Sequence, residues 1–585
     1  MRYRNLTREI YTKLFFSSLI IQIVGTISFL LDFIIPGTFL GEEALSVITL
    51  TLPLLLLMQA FIDLVSMGGS NAYSLAIGAG KPREAQRYYT ATLGGALLIS
   101  VAALLLGCFF LTPLTRLLGA DAHLLALTSQ VTLLTLAYFP FMSILMCLDF
   151  FLRNDGLIKI SAAVSVFFIA SNIALNIYLV GYTALGLLGA PLSSLLSAVL
   201  SLLLASPVFI CKKTTLRLTK EASLTDFWYV VHMGSGLTFK RVYQGLAAVI
   251  FNNFLMSSVG MTGVVVYSIV VNIQNLLLSL LDTLRECLQP LIGVYSGENN
   301  QPGMKETLRC CFKTGAASCA LFWLLLSFLP ITWLHIFGIT DTALLALCQI
   351  AIIIYSSVFP FLCFTEIMSS YYQFIGYPRL TFYILTLKGL LLLLPISLLG
   401  FKLYGLPGLW AGFVVTEICA CACTLFLAKR QASQSPQSLS PFLLLPTGQK
   451  DNLLILDILA NKANLGSALD EIESFLQKRG FSQNTRDRVR HCLEELGLNS
   501  IQHNPGKTDA RLELQIKTGG DVKVTLRDNC SAFNTTVPRE QKIKPKLGLT
   551  LVHKLADTIT YVPTIGYNRT ILLFQENKLK RGNAL

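Results

Sequence analysis

Gly186-Leu-Leu-Gly189, in the first half of the chain, recurs as Gly405-Leu-Pro-Gly408 in the second half, 219 residues later. Other residues recur at an offset of 219 or 220 positions. The pairs are Gly41 and Gly260, Asp63 and Asp282, Gly78 and Gly297, Gly119-Ala-Asp121 and Gly338-Ile-Thr-Asp341, Pro140-Phe141 and Pro360-Phe361, and Gly156 and Gly376. The chain therefore carries two copies of one unit, and this tandem repeat decides the architecture.

The repeated region is strongly apolar. Only 14% of the 585 residues are charged, and the mean hydropathy is +0.62. Stretches long enough to cross a hydrocarbon core of about 30 Å predict twelve spans, near 14–38, 44–66, 88–111, 124–150, 160–182, 186–210, 231–258, 263–285, 310–334, 343–366, 379–401 and 405–428. The predicted fold class is an all-α polytopic membrane protein with two parallel six-helix repeats. Many secondary transporters are built this way, with the solute path where the repeats meet.

The distribution of basic residues predicts the orientation in the lipid bilayer. Lys and Arg are retained on the cytoplasmic side during insertion. One set of span ends is rich in Lys and Arg, whereas the other set carries only Arg116 and Lys402. We therefore predict that both termini are cytoplasmic. Because this topology accounts for much of the +13 net charge, no binding to nucleic acid is expected.

The character of the chain changes after Arg430. Residues 431–441 are polar and rich in Ser and Pro, which is typical of a linker that does not order itself. Beyond it, alternating runs at 511–517 and 521–527, separated by Gly519-Gly520, predict a β-hairpin. Helical periodicity predicts helices near 465–479, 484–503 and 546–557. We divide the chain into lobes at 1–220 and 221–430, a linker at 431–450 and a cytoplasmic α+β domain at 451–585.

Asp32 lies in the middle of the first span, in Phe29-Leu-Leu-Asp-Phe-Ile-Ile-Pro36. A carboxylate at membrane depth is costly unless it faces a polar cavity, so Asp32 is a candidate for transport chemistry. Pro36 has no N–H and leaves the Asp32 carbonyl without its helical partner. Side-chain and backbone oxygens at one point suit Na⁺ or a titrating proton. The alternative is that Asp32 only marks the end of the helix.

Other polar residues in the spans are weaker candidates. Asn172 and Asn176 share one helix face, and their amides are either neutral cation ligands or hydrogen-bond fasteners between helices. Charges in or near the second-half spans are Lys240, Arg241, Asp282, Arg285, Glu286, Glu366, Lys388 and Glu417. We expect Arg285 to pair within the Asp282–Glu286 turn, and Lys388 and Glu417 to lie deep enough for an interior polar path.

The first six spans resemble the MATE (multidrug and toxic compound extrusion) family. The matching residues are Asp32, Gly41-x-x-Ala44-Leu45, Gly68-Gly-Ser70, Ser74-x-x-x-Gly78-x-Gly80, Leu118-Gly-Ala-Asp121, Arg153-Asn-Asp-Gly156 and Gly186-x-x-Gly189-Ala190. The second half repeats a looser version, so that the resemblance covers residues 10–428. It implies export of small organic, often cationic or amphiphilic, solutes across a bacterial plasma (inner) membrane. Alternating access driven by inward movement of H⁺ or Na⁺ would power this export.

The resemblance also implies a cation site in the first lobe, formed by Asp32, Asn172, Asn176 and Ser194. Asn176 stands where related proteins often have a second carboxylate, which leaves Asp32 as the acidic group among the matched positions. A protonatable Asp32 suffices for H⁺ coupling. In the second repeat, 219 positions later, these four residues correspond to Phe251, Leu391, Pro395 and Phe413, none of which has a side-chain oxygen that could bind H⁺ or Na⁺. We therefore expect the coupling ion in the first lobe only.

The tail carries a second group of polar residues. Glu495 and Asn499 lie four apart on a predicted helix, where a carboxylate and an amide can orient water and Mg²⁺ beside a nucleotide phosphate. Asp528 ends a predicted strand and can accept a hydrogen bond from an adenine amino group. Gly548 and Leu549 open a helix whose free N–H groups can hold phosphate.

The order and spacing of these residues resemble the histidine kinase-like ATPase fold, closest to its anti-sigma-factor serine-kinase branch. The resemblance implies ATP and Mg²⁺ as cofactors, Asn499 as the Mg²⁺ ligand, Glu495 as a base, Asp528 as the adenine contact, and a cytoplasmic protein partner. Two features depart from the pattern. Cys530 replaces the Gly that follows Asp-Asn, and the Gly-rich entry to the lid is reduced to Lys-Leu-Gly-Leu, so backbone approaches the ligand less closely. The basic residues Arg539, Lys542, Lys544 and Lys546 either compensate or form a solvated charge run.

Three functions from different classes remain open. The first is an ion-coupled exporter whose tail modulates transport, and the presence of Asp32 favours it. The second is a membrane-tethered signalling protein with kinase-like or switch output. The third is a flippase for lipid-linked precursors, which a strongly basic cavity around Lys240, Arg241 and Lys388 would support. An ATP-driven pump is not expected, because the sequence has no phosphate loop of the Gly-x-x-x-x-Gly-Lys type.

Overall fold

The computed structural model describes residues 5–120, 122–211, 214–328, 331, 334, 341–436, 438–447, 452–502, 510–530 and 547–576. The first lobe is built of α1 (Asn5–Leu40), α2 (Glu42–Gly78), α3 (Pro82–Phe109), the short α4 (Leu111–Leu117), α5 (Leu125–Asn154), α6 (Ile158–Gly181) and α7 (Gly189–Ile210). The second lobe is built of α8 (Leu224–Ser258), α9 (Met261–Glu298), α10 (Gln301–Phe328), α11 (Thr342–Ser356), α12 (Phe359–Phe374), α13 (Pro378–Thr386) and α14 (Leu393–Gln434).

These helices account for the predicted spans. Nine helices of the described chain are each long and apolar enough to cross a membrane, and the pair α11–α12, bent by 47°, makes a tenth. The helical stretch Pro378–Gln434 covers two spans, because it is kinked at Gly405. Helix α8 is continuous and covers the remaining predicted span, at 231–258, although Lys240 and Arg241 interrupt its apolar sequence. All twelve predicted spans are therefore helical in the described residues. The chain is thus a multi-pass membrane protein, as the sequence predicts.

The repeated glycines adopt matching backbone conformations in the two lobes. Gly41 and Gly260 precede α2 and α9 with φ of 80° and 83°, and Gly156 and Gly376 have φ of 83° and 92°. Left-handed backbone of this kind favours Gly, because a Cβ makes it strained. The repeat therefore marks the same helix connections in both lobes. In the pair Gly119–Asp121 and Gly338–Asp341, Asp121 and residues 338–340 lie outside the described residues.

The two lobes meet on one side of the molecule, which we call the tail side because α2 and α9 end there next to the C-terminal domain. A Cβ on Gly68 would lie 2.2 Å from the carbonyl oxygen of Val230 in α8, and a Cβ on Gly78 would lie 2.2 Å from that of Val294 in α9. Hydrogen bonds between the lobes join Thr7 to Tyr295, Gln22 to Glu286, Thr26 to Ser279, Asn71 to Gln373 and Ser74 to Gln289. These contacts lie between the middle of the helices and their tail-side ends, so the lobes are closed on this side.

The C-terminal domain has the predicted α+β composition. Its elements are β1 (Leu453–Leu459), α15 (Lys462–Lys478), α16 (Gln483–Gln502), β2 (Arg511–Thr518), β3 (Val522–Asp528), α17 (Leu547–Leu555), β4 (Thr558–Tyr561) and β5 (Asn568–Phe574). The strands form an antiparallel sheet in the order β1-β2-β3-β5-β4, and β2 and β3 pair as the predicted hairpin. The helices cover one face of the sheet, where Leu514, Val524 and Leu572 are fully buried among them.

The predicted linker is more ordered than its composition indicates. Helix α14 continues to Gln434, and residues 438–447 fold back onto α12. There the hydroxyl of Tyr371 donates to the carbonyl of Leu443 (2.7 Å) and that of Tyr372 to the carbonyl of Phe442 (2.8 Å). The physical reason is the apolar Phe-Leu-Leu-Leu that follows the polar stretch, since Leu444 and Leu445 are buried. Residues 437 and 448–451 lie outside the described residues.

The second face of the sheet packs against the tail-side ends of the membrane helices. The backbone N–H of Ile565 donates to the carbonyl of Asn154 at the end of α5 (3.2 Å). A Cβ on Gly156 would lie 1.8 Å from the nitrogen of Gly566, so the two backbones are in close contact. Both faces of the sheet are therefore covered, one by its own helices and the other by the membrane domain.

Candidate functional site

Asp32 faces a cavity of about 420 Å³ in the first lobe. The cavity is also lined by Thr51, Gln59, Tyr138, Ser194 and Arg241 of α8, together with apolar side chains of α2, α5 and α7. Helix α1 continues two turns beyond Asp32, to Leu40. The carboxylate therefore lies inside the helix rather than at its end, as the first interpretation of the sequence predicts.

The four residues predicted for the cation site form two hydrogen-bonded pairs. The Asn176 amide nitrogen donates to Asp32 Oδ1 (3.1 Å), and the Asn172 amide nitrogen donates to Ser194 Oγ (3.0 Å). Asn176 Oδ1 is buried without a hydrogen-bond partner among the described residues. An unpaired buried amide oxygen is unfavourable by about 1–3 kcal/mol. The Asn176 side chain contacts the Asp32 carboxylate, and the Ser194 hydroxyl lines the same cavity as Asp32. Amide, carboxylate and hydroxyl oxygens together are a set of ligands that fits a hard cation.

Asp32 differs from the other acidic residues inside the predicted spans. Each of the others that the structure describes has a basic partner: Asp63 with Arg241 (3.0 Å), Asp149 with Arg153 (2.7 Å), Asp282 with Arg285 (3.5 Å), Glu366 with Lys240 (2.6 Å) and Glu417 with Lys388 (3.0 Å). For Asp32, the described part of the chain supplies no Lys or Arg within ion-pair distance. Its charge is thus free to be balanced by a bound cation or a proton.

A chain of ion pairs lines a second cavity, of about 220 Å³, in the second lobe. Lys388 contacts both Glu366 (3.2 Å) and Glu417 (3.0 Å), and Lys240 contacts Glu366 (2.6 Å). Lys388 is half-buried and Glu417 is buried, and both line this cavity, as expected for an interior polar path. Sequence reasoning missed their shared partner Glu366, because residues on three helices meet there.

The pairing makes this cavity electrically balanced rather than basic. Lys240 and Lys388 are offset by Glu366 and Glu417, and Arg241, which lines the first-lobe cavity instead, is paired with Asp63. A site for the polyanionic head group of a lipid-linked precursor needs unpaired basic side chains. The arrangement therefore gives no support to the flippase alternative.

Replacing Lys388 with Met is expected to destabilise the second lobe by about 3–5 kcal/mol, because it leaves the buried Glu417 carboxylate without its counter-charge. The double variant Lys388→Met with Glu417→Gln removes the unpaired charge and should recover most of this loss. Thermal unfolding of the two purified variants in detergent measures the difference. Equal stability of the single and double variants would show that Glu417 needs no counter-charge.

A further ion-pair cluster, between the lobes, was not predicted. Arg153 of α5 contacts Asp149 (2.7 Å) and also Glu286 of α9 (2.5 Å), which accepts a hydrogen bond from Gln22 of α1. Arg153 is buried. Its motif was noted in the sequence, but the partner lies 133 positions away and no local pattern reveals it. The cluster is part of the tail-side contact between the lobes.

The structure brings Glu495 and Asn499 of the tail together on one face of α16. The Asn499 amide nitrogen lies 3.3 Å from Glu495 Oε1, which leaves the amide oxygen for other partners. Asn499 is buried and Glu495 is half-buried. An amide oxygen and a carboxylate so placed fit Mg²⁺, which takes few protein ligands and completes its shell with phosphate and water. Within the described residues, no cluster of three His, Cys, Asp or Glu side chains offers an alternative metal site.

Asp528 lies at the end of β3, beside α16. Its Oδ1 accepts hydrogen bonds from Asn568 Nδ2 (2.7 Å) and the Cys530 N–H (2.9 Å), and its Oδ2 accepts one from Ser500 Oγ (3.1 Å). Burial raises the pKa of Asp528, and these donors oppose the rise. Oδ2 retains capacity for one more donor, such as an adenine amino group.

The phosphate side of this site is described only in part. Gly548 and Leu549 lie in the first turn of α17, where backbone N–H groups have no intrahelical partners. Residues 503–509 and 531–546, which include the predicted lid and the basic residues Arg539, Lys542, Lys544 and Lys546, lie outside the described residues. The described half is consistent with an adenine and Mg²⁺ site between β3, α16 and α17.

Comparison with known proteins assigns both parts of the chain to families. The family model MatE matches residues 18–178 and 246–399, and the model for the histidine kinase-like ATPase domain matches residues 458–574. Both matches coincide with the regions that the sequence motifs indicate.

Two curated relatives match the membrane region. A protein of Shewanella oneidensis described as an FAD transporter is 23% identical over 416 residues, covering 68% of this chain and 91% of its own length. The multidrug export protein MepA of Staphylococcus saprophyticus is 23% identical over 398 residues, covering 66% of this chain and 86% of its own length.

Solved structures have the same membrane fold. A MOP superfamily transporter from Pyrococcus furiosus aligns with a TM-score of 0.68 at 19% identity, covering 74% of this chain and 98% of its own. A MATE transporter from Vibrio cholerae aligns with a TM-score of 0.67 at 18% identity, covering 74% and 98%. At this level of identity the likeness establishes the fold.

Proposed function

Because this chain belongs to the MatE family and carries a histidine kinase-like ATPase domain at its C-terminal end, we propose that it is an ion-coupled antiporter regulated by nucleotide. It exports organic solutes, and the inward movement of H⁺ or Na⁺ drives the export. The observation that carries this proposal is Asp32, the carboxylate that faces a cavity in the first lobe with no basic partner among the described residues.

The coupling ion binds in the first lobe. Asp32 and the unpaired Asn176 oxygen hold the cation, and the Asn172–Ser194 pair lies beside them. When the site takes a proton instead, Asp32 is the group that carries it, because the amides and the hydroxyl do not titrate. A charge change inside the cavity then alters which arrangement of the lobes is favoured, as antiport requires.

The solute is an organic cation or amphiphile. The first-lobe cavity combines one unpaired carboxylate with the aromatic ring of Tyr138 and apolar walls, and the charge of Arg241 at its edge is offset by Asp63. This combination suits a flat cation with apolar surface. The relatives carry the names of a multidrug exporter and of an FAD transporter. A cation and FAD are therefore the two probes that best separate the possible substrate classes.

The membrane and its sidedness are also part of the proposal. The basic span ends lie on the tail side, so both termini and the C-terminal domain face the cytoplasm of a bacterial cell. The described conformation, closed on the tail side, is then the outward-facing state of the transport cycle.

Reconstituted vesicles test the transport proposal. Flux of tetraphenylphosphonium and of FAD is measured under imposed H⁺ or Na⁺ gradients, with and without ATP and Mg²⁺ on the tail side. We expect flux of the cation that depends on one of the two gradients. Flux that ignores every gradient would instead favour the signalling protein.

Nucleotide binding is tested on the full chain in detergent with a fluorescent ATP analogue and Mg²⁺. Asn499→Ala and Asp528→Asn should each weaken binding. Glu495→Gln should retain binding and reduce any phosphoryl transfer, whereas Glu494→Gln, at the exposed neighbouring position, serves as the matched control. The absence of binding in the native chain would remove the nucleotide part of the proposal, including a kinase-like action on a protein partner.

A further inference from the structure

Two arginines of the sheet tie the C-terminal domain to both membrane lobes. On β3, Arg527 contacts Glu298 at the end of α9 (2.5 Å) and Glu513 on the neighbouring strand β2 (2.9 Å). Its guanidinium also lies 5.3 Å from the ring centre of Tyr295 in α9. On β5, Arg569 contacts the same Glu298 oxygen (3.2 Å). The side chains of this cluster are at most 4% exposed.

Arg569 also reaches the first lobe. Its two terminal nitrogens donate to the carbonyls of Ile77 (2.9 Å) and Gly78 (2.8 Å) in the last turn of α2. The Ile77 carbonyl also accepts from the Gly80 N–H (3.0 Å). Carbonyls in the last turn of a helix carry the negative end of the helix dipole, so a guanidinium there is favourable. One side chain of the tail thus bridges α2 of the first lobe and α9 of the second.

The bridge spans the place where the lobes touch. Gly78 and Gly297 are partners in the sequence repeat, and a Cβ on Gly78 would lie 3.0 Å from the Cα of Gly297. Alternating access requires α2 and α9 to separate here when the tail side opens. Separation would break the bonds of Arg569 to one of the two helices and leave buried charge without a partner, which is strongly unfavourable.

The charges of the cluster explain why Glu298 is its centre. Burial raises the pKa of the Glu513 carboxyl to about 7, against the opposing effect of the Arg527 guanidinium. Among the described ion pairs, Glu513 contacts Arg527, whereas Glu298 contacts both Arg527 and Arg569. Glu298 is the principal counter-charge of both arginines, and its removal should release the tail from α9.

The cluster is joined directly to the candidate adenine site. Side chains alternate between the two faces of a strand, so Asp528 follows Arg527 on the opposite face, and Asn568 precedes Arg569 in the same way. The two pairs are also aligned across the strands, with Arg527 opposite Arg569 and Asp528 opposite Asn568. A nucleotide amino group that donates to Asp528 Oδ2 adds a donor to the carboxylate whose Oδ1 accepts from Asn568 at 2.7 Å, so its binding acts on Asn568, the neighbour of Arg569 on β5.

We propose that the docked C-terminal domain is a brake that holds the two lobes closed on the tail side, and that nucleotide binding at Asp528 releases it. The brake itself follows from the contacts of Arg527, Arg569 and Glu298, whereas its release by nucleotide rests on the nucleotide binding proposed above. Since linkage is reciprocal, docking must weaken nucleotide binding by the same factor by which the nucleotide weakens docking.

The test compares the native full-length protein with Glu298→Gln, which keeps the shape and removes the charge. Glu306→Gln is the matched control, because Glu306 is buried on the same side but pairs with Arg309 (3.1 Å) in its own helix. For Glu298→Gln we expect about 5-fold or more gain in transport rate without nucleotide, and about 5-fold or more gain in affinity for the ATP analogue, the usual range of allosteric coupling. Hydrogen exchange at 558–574 should be faster in this variant and in the native protein with the analogue.

Each result bears on one part of the proposal. Native transport rate and exchange in Glu298→Gln would overturn the brake. Faster transport by Glu298→Gln, when neither the native protein nor the variant binds nucleotide, would support the brake. It would overturn both the release by nucleotide and the proposed nucleotide binding. Binding of the ATP analogue with the same affinity to the native protein and to Glu298→Gln would overturn only the release of the brake by nucleotide. If Glu298→Gln does not fold, Arg569→Lys gives the same test, since an ammonium cannot hold two carbonyls and a carboxylate in one plane.

Discussion

Replacing Asp32 with Asn is expected to reduce gradient-driven flux by about ten-fold or more, because the change removes the one acidic group of the described spans that lacks a basic partner. A loss of this size corresponds to only about 1.4 kcal/mol of differential binding of the coupling ion. The amide preserves the shape and can still bond to Asn176, so the lobe should fold. Flux in vesicles under H⁺ and Na⁺ gradients measures the effect.

The control for this prediction is Glu43→Gln. Glu43 lies at the opposite end of α2 from the tail, and its exposed carboxylate is 3.8 Å from His123. This variant should transport at the native rate with native pH dependence. If Asp32→Asn keeps gradient-driven flux with an unchanged pH profile, Asp32 does not bind the coupling ion. The carboxylates paired with Lys388 would then be the next candidates for the coupling site.

The membrane architecture is predictable from the sequence because lipid imposes strong local rules. Every span must be apolar and helical, so its position is visible in the sequence. The repeated glycines add the relation between the lobes, since Gly41 and Gly260 are needed for the same backbone turn. The four cation-site residues come from the family resemblance, and the structure places them in two contacting pairs. Their role in coupling stays a prediction.

Contacts between distant segments are not predictable in this way. The alternating pattern of β2 predicts a strand with one polar face but does not reveal what covers that face. Glu513 and Arg527 are polar residues that would suit solvent, yet Arg527 pairs with a carboxylate 229 positions earlier in the chain. The order in the linker is missed for a related reason. Its polar first half predicts no packing, whereas Leu444 and Leu445 in its second half are buried. Local composition cannot show that a partner surface lies nearby.

Placing a Cβ on Gly234 should shift the lobes away from the conformation that is closed on the tail side. In Gly234→Ala the new Cβ would lie 1.9 Å from the carbonyl oxygen of Leu64, so α2 and α8 must move apart. Overpacking of this kind costs about 1–3 kcal/mol, which changes the balance of two states by roughly 5- to 150-fold. Transport should fall by about ten-fold, because the new Cβ obstructs the α2–α8 packing to which every cycle must return, whereas loss of the Glu298 charge leaves that packing intact.

The matched control is Gly245→Ala, on the same helix. A Cβ on Gly245 meets no atom within 4 Å, and Ala favours the helix by about 0.5–1 kcal/mol. Gly245→Ala should therefore transport normally and be slightly more stable. Hydrogen exchange across 60–78 should be faster in Gly234→Ala than in this control, because these residues lose their partner helix. Slow exchange together with native flux in Gly234→Ala would mean that α2 and α8 stay packed throughout the cycle, so that the lobes would have to open elsewhere on the tail side.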